Sequence, residues 1–157
     1  MKSGKRLEQQ IKKSADNQGI FCYRLRDNAA SFYKSDQLRF TSSNMCDYIL
    51  FNGSKLLCLE LKNHKGKSLP LTTIRGNQLT QLLEASKYNN TRCGLLINFE
   101  DVEEAYYLDI RQLDNFIKSE DRKSIPICYL NTNGIKIDMT KLRTNHLYNL
   151  KELFERI

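Results

Sequence analysis

The sequence has no apolar run near the ~20 residues needed to cross a bilayer. Its N-terminus is polar from Met1 to Gln10 and carries no signal peptide. Together these absences imply a cytoplasmic protein. There is no internal repeat, no low-complexity stretch and nothing resembling a linker, and prolines occur only at 70 and 126. The five cysteines (Cys22, Cys46, Cys58, Cys93, Cys128) form no CxxC pair, and four of them sit within apolar runs. The two histidines, His64 and His146, lie far from any paired cysteines, which argues against zinc. The expectation is reduced, mostly buried thiols that act as small hydrophobes.

What is present fits one α/β domain over residues 1–157. With 40% hydrophobic and 27% charged residues the chain is globular rather than disordered. Lysine and arginine exceed acids by 25 to 18, a net charge of +7. A basic surface favours polyanions through counterion release, so nucleic acid is the first partner to test.

Periodicity supplies the elements. Leu7, Ile11 and Ala15 mark a helix over Lys5–Asp16, ended by Asn17 and Gly19. Ile20 to Arg26 alternates as a strand, with Ile20, Cys22, Arg24 and Arg26 on one side and Phe21, Tyr23 and Leu25 on the other. Asp27 to Asn44 reads as a loop with a short strand around Phe32–Lys34. Asp47 to Asn52 and Lys55 to Lys62 read as a hairpin turning at Gly53-Ser54. Asn63 to Leu71 follows as a basic loop, and then a helix capped by Thr72 or Thr73 runs to about Tyr88. Its inward residues are Leu79, Leu82, Leu83 and Ser86.

Gly94 to Phe99 has the continuous apolar character of an interior strand. A strand over Ala105–Leu108 and a helix over Asp109–Ile117 follow. Ile127–Leu130 and Ile135–Ile137 are read as a hairpin around Asn133-Gly134, and Leu147, Leu150, Phe154 and Ile157 as a closing amphipathic helix. The sum is an α/β fold, a central mixed sheet flanked by helices.

The hairpin carries the candidate chemistry. A strand period of two puts Glu60 and Lys62 on one face, roughly 7 Å apart, while Leu57, Leu59 and Leu61 anchor the other. Asp47 opens the partner strand, so the turn brings its carboxylate toward both. Two carboxylates on a rigid platform suit a hard divalent cation, and the Leu61 carbonyl can add an oxygen. An adjacent ammonium can position water and balance charge on a pentavalent phosphoryl centre. The other reading is a solvated strand face with a cross-strand ion pair. Against it, Asp, Glu and Lys run counter to strand propensity. Glu8, one position off the helical stripe, is a further acid, and Gln78 can hydrogen-bond a water or phosphate. Arg24, Arg26, Lys34, Arg39, Lys65, Lys67 and Arg75 border the hairpin as candidate phosphate contacts.

These residues resemble the RecU-type Holliday junction resolvases of the restriction-endonuclease-like PD-(D/E)XK superfamily. The resemblance runs through Gly4-x-x-Leu7-Glu8-x-x-Ile11, Cys46-Asp47-Tyr48 and Glu60-Leu61-Lys62. It continues through Ile74-x-x-Asn77-Gln78-Leu79-x-x-Leu82 and Gly94 to Phe99. It implies that Asp47 and Glu60 bind Mg²⁺ or Mn²⁺, that Lys62 helps activate water, that Gln78 supports the site and that Glu8 completes it. It also implies a homodimer acting on branched DNA, since a four-way junction has two-fold symmetry. Cys46 stands where the superfamily's name has proline, Asn77 stands where histidine is common, and Asp27–Asn44 is short for the family's protruding stalk. Two alternatives accompany this reading. One is a superfamily nuclease acting on duplex, flap or single-stranded DNA, and the other is a non-catalytic DNA-binding accessory protein.

Overall fold

A computed structural model describes residues 3–25 and 44–157. The expected strand around Phe32–Lys34 and the loop containing it lie outside the described residues. The first helix, α1 (Ser3–Asn17), leads into β1 (Phe21–Arg24). After the undescribed segment, β2 (Tyr48–Phe51) and β3 (Leu56–His64) form the expected hairpin. Gly53 takes a positive φ of 98° at the first turn position. The Asn52 side-chain oxygen accepts from Ser54 N and Lys55 N, at 3.0 and 2.8 Å, and fixes the reversal.

Among the described residues, the main sheet has six strands in the order β1-β2-β3-β5-β6-β8, with β5 (Thr91–Phe99), β6 (Glu104–Asp109) and β8 (Ile135–Ile137) completing it. β3 and β5 are parallel and the other pairs antiparallel. The crossover between β3 and β5 passes through α2 (Gly76–Ala85). β5 is the interior strand expected from its apolar run, with Cys93, Leu95, Leu96, Ile97 and Phe99 all buried.

The alternation of side chains divides the core into two layers. Leu50, Leu57, Leu59, Leu96 and Tyr107 face α1 and α5 (Leu150–Arg156). Cys58, Leu95, Ile97 and Leu108 face the opposite way, packing with Leu82 of α2 and with Leu113 and Phe116 of α3 (Ile110–Ser119). Buried Ser14 fastens the C-terminal segment to α1. Its hydroxyl donates to Gln10 O at 2.7 Å and accepts from Tyr148 N at 2.9 Å.

Several expectations are corrected. Residues Ile127–Asn133 form a helix, α4, not the first strand of a hairpin. Asn133-Gly134 ends that helix, with Gly134 N donating to Leu130 O at 2.9 Å, and β8 pairs with β6. The stretch Asn63–Leu71 is not one loop. β3 continues to His64, and β4 (Ser68–Pro70) pairs with β7 (Ser124–Pro126). Thr72 and Thr73 belong to a 3₁₀ turn, and Thr73 donates back to Pro70 O, so α2 begins later with Arg75 at its cap position. Leu147 lies in β10 (His146–Tyr148), which pairs with β9 (Met139–Lys141), rather than in the closing helix. Cys46, Cys58 and Cys93 are buried, Cys22 is partly covered and Cys128 is exposed on α4.

Candidate active site

The β2–β3 register sets Tyr48 against Leu59, so one step further Asp47 faces Glu60. Leu25 N donates to Asp47 O at 2.9 Å and extends the β1–β2 ladder to the same level. The Asp47 carboxylate turns along β3 and accepts from Leu61 N at 2.7 Å. That bond ties the aspartate to the strand that carries Glu60.

Glu60 lies near the middle of a strand covered on both faces, with its residue 5% exposed. Its two oxygens have different partners. Oε1 accepts from Lys62 Nζ at 2.7 Å, and Oε2 accepts from Gln78 Nε2 at 3.1 Å. Burial pushes the Glu60 carboxyl above the usual glutamate range, and the Asp47 charge pushes it further. Lys62 and the Gln78 amide oppose that rise without cancelling it.

Gln78 is three residues into the first turn of α2, and its burial fixes it against Glu60. Its other polar atom, Oε1, is buried and has no partner among the described residues. A buried acceptor without a partner, on the residue bonded to Glu60, calls for a donor or a cation.

Asp47, Glu60, Lys62 and Gln78 therefore meet on the sheet face covered by α2. Glu8 is in the other layer. Its carboxylate pairs with Arg24 Nη2 at 2.7 Å, and its backbone oxygen accepts from the buried Tyr48 hydroxyl at 3.3 Å. Arg24 keeps about half of its side chain exposed while it pairs with Glu8. Lys65, Lys67 and Arg75 are exposed, Arg75 at the N-terminal end of α2. Arg26, Lys34 and Arg39 lie outside the described residues.

Sequence reasoning did not anticipate a polar chain on the α1 side, just past Lys62. Asn63 Nδ2 donates to Glu100 Oε1 and Asn98 Nδ2 to Asn63 Oδ1, both at 2.6 Å, and Tyr148 OH donates to Asn98 Oδ1 at 3.2 Å. The only signal was two asparagines inside or ending apolar runs.

A metal fits the platform within limits. Among the described residues no three His, Cys, Asp or Glu side chains gather as a complete ligand cage. The Asp47 and Glu60 carboxylates, the first of which raises the pKa of the second, plus the orphaned Gln78 Oε1, form an all-oxygen donor set. Such a set suits a hard ion that keeps part of its water shell, as Mg²⁺ does, rather than zinc.

A mixed sheet with a carboxylate hairpin and a crossover helix gives the chain a restriction-endonuclease-like fold. The fold matches the Hjc Holliday junction resolvase of the archaeal hyperthermophile Archaeoglobus fulgidus with a TM-score of 0.58. The match is 14% identical and covers 85% of this chain and 95% of that one. The chain belongs to the RecU (recombination protein U) family, whose sequence profile matches residues 2–152. It is also 32% identical over 165 aligned positions to the SPbeta prophage-derived uncharacterized protein YotM of Bacillus subtilis (strain 168), covering 96% of this chain and 84% of that protein.

Proposed function

We propose that this chain is a single-domain, metal-dependent Holliday junction resolvase. Two copies would nick opposing strands of a four-way DNA junction, working in the cytoplasm with Mg²⁺ or Mn²⁺. The observation that carries this reading is the platform of Asp47, Glu60, Lys62 and Gln78 in a RecU-family chain. Family membership supports endonuclease activity and branched DNA as the substrate. The net charge of +7 supports a polyanionic partner. No helix among the described residues is long and apolar enough to cross a membrane.

Asp47 and Glu60 would hold the ion, with the Leu61 carbonyl and Gln78 Oε1 as further oxygens. A bound divalent ion supplies charge neutralisation at a phosphoryl oxygen and makes water more acidic. The protein's own groups do the rest. Lys62, held at 2.7 Å by Glu60, offers its remaining ammonium protons to the attacking water or to a non-bridging phosphate oxygen. Gln78 restrains Glu60 through its amide and leaves Oε1 free to face the ion. Glu8, paired with Arg24 on the α1 side of the sheet, is proposed as a further acid at the edge of the site. Lys65, Lys67 and Arg75, together with Arg26, Lys34 and Arg39, are proposed phosphate contacts along the bound arms.

The test is cleavage of a labelled immobile four-way junction, with linear duplex of the same sequence alongside, in Mg²⁺ and in EDTA. The expected result is paired symmetric nicks in the junction alone. They should be absent in EDTA and slowed by roughly 100-fold or more in Glu60→Gln, a loss typical of removing a charge-stabilising group. Equal cutting of linear duplex would retain a nuclease and reject junction selectivity. Tight binding without cutting in either Mg²⁺ or Mn²⁺ would reject the enzyme in favour of a DNA-binding accessory protein.

A further inference from the structure

Phe21, Tyr23 and Phe51 leave 60%, 57% and 40% of their surface open to solvent. Their placement relative to the carboxylates follows from the sheet register. Phe21 pairs with Phe51 and Tyr23 with Ile49, and these in turn pair with Leu56 and Cys58 of β3. Residues directly opposite one another share a face. The three rings therefore stand on the same face as Glu60 and Lys62. Read along the sheet, the rows are Phe21–Phe51–Leu56, then Tyr23–Ile49–Cys58, then Leu25–Asp47–Glu60. Alternate residues on a strand lie about 7 Å apart, so Tyr23 is one row from the carboxylates and Phe21 two rows. On this face α2 and α3 pack over β5 and β6, and the β1–β2 flank keeps its rings open.

The geometry points to a stacking platform: Phe21, Tyr23 and Phe51 receive unpaired bases of branched DNA beside the carboxylate site. This rests on the junction reading above and adds a means of selecting the substrate. Two rings at alternate positions of one strand with a third on its neighbour is how sheet surfaces hold splayed bases. The bases of an intact duplex arm are stacked internally and have no free π-face to offer. The base pairs that flank a branch point can lose a stacking neighbour and open more readily, so a platform one row from the carboxylates favours cutting there.

The competing occupant is a second copy of the chain. The three rings expose roughly 300 Å² together, taking about 200 Å² for a whole aromatic side chain. A stable protein interface buries about 800 Å² per partner. A protomer seated on the rings would also lie within one row of Asp47 and Glu60, across the approach of DNA.

The test uses the full chain in EDTA at fixed salt, comparing wild type with Phe21→Ala/Tyr23→Ala and Phe21→Trp/Tyr23→Trp. The probes are a four-way junction with 2-aminopurine at the branch point, a linear duplex, and a single-stranded oligothymidylate. The alanine pair is expected to bind the junction and the single strand roughly tenfold or more weakly, in line with the loss of base stacking. Duplex affinity and thermal midpoint should hold, and the tryptophan pair should restore binding. Wild type should alter 2-aminopurine fluorescence, and the alanine pair should not. Unchanged junction and single-strand affinity in the alanine pair would overturn the platform. So would a shift from dimer to monomer in sedimentation, which would assign the face to a second copy. Failure of wild type to prefer junction over duplex would defeat the resolvase reading, and the single-strand arm would then still decide on the platform.

Discussion

Glu60 is the residue on which stability and function pull apart. Its ionisation is opposed first by burial and second by Asp47, so its carboxyl holds a proton above the usual glutamate range. Without a divalent ion, the folded state binds that proton more tightly than the unfolded chain does. The corresponding stability is fully present below the ordinary glutamate pKa, and it is lost as pH rises through the raised value. In EDTA, the thermal midpoint of wild type is therefore expected to fall across that window. Glu60→Gln should remove this part of the pH dependence while strongly slowing cleavage. Differential scanning calorimetry at several pH values checks it, and an identical pH dependence in the variant would contradict the assignment. Gln78 shows the same tension: one amide end is bonded to Glu60, and the other is buried with no partner among the described residues. Folding alone would favour a leucine there, so the glutamine is better explained by what the site does.

At the scale of elements, β3 and β5 are the rigid support, and the close packing of β5 against β6 depends on Gly94. A Cβ at that position would meet Leu108 O at 2.4 Å and the Tyr107 ring at 2.5 Å. The Tyr107 ring is itself pinned, its hydroxyl donating to Cys93 O at 3.0 Å. Gly94→Ala is expected to destabilise by roughly 2–4 kcal/mol, the cost of overpacking a core that cannot yield. Urea denaturation measures this, and a loss below about 0.5 kcal/mol would show that the strands can shift.

The hairpin bearing Asp47 and Glu60 was legible because strand period and turn chemistry are local signals. Asn52-Gly53 fixes the turn, and alternation fixes which residues share a face. Residues Ile127–Leu130 misled because four apolar residues before Asn-Gly read equally as strand or as the end of a helix. Tertiary packing of Leu130, with Gly134 closing the helix, decided for the helix. The stripe on α1 located Glu8 on a helix but could not say which side of the sheet that helix covers. Only packing reveals that Glu8 meets Arg24 in the other layer.

On the scale of the whole molecule, one sheet separates two cores, and the carboxylate platform sits on the side of α2 and α3. The basic residues proposed to grip phosphates come from segments that border this side or from the undescribed stretch between β1 and β2. A net charge of +7 favours polyanionic partners such as DNA, and the platform is the proposed place for chemistry. Two such copies related by a two-fold axis would match the symmetry of a four-way junction.

The central claim is that Asp47 and Glu60 together form a divalent-cation site. Calorimetric titration of Mn²⁺ into the DNA-free protein tests it most directly, comparing wild type with Asp47→Asn and Glu60→Gln. The expected result is saturable binding in wild type that is lost or weakened at least about tenfold in each variant, since each removes one charged ligand. Binding of equal strength in all three proteins would place the ion elsewhere and contradict the assignment.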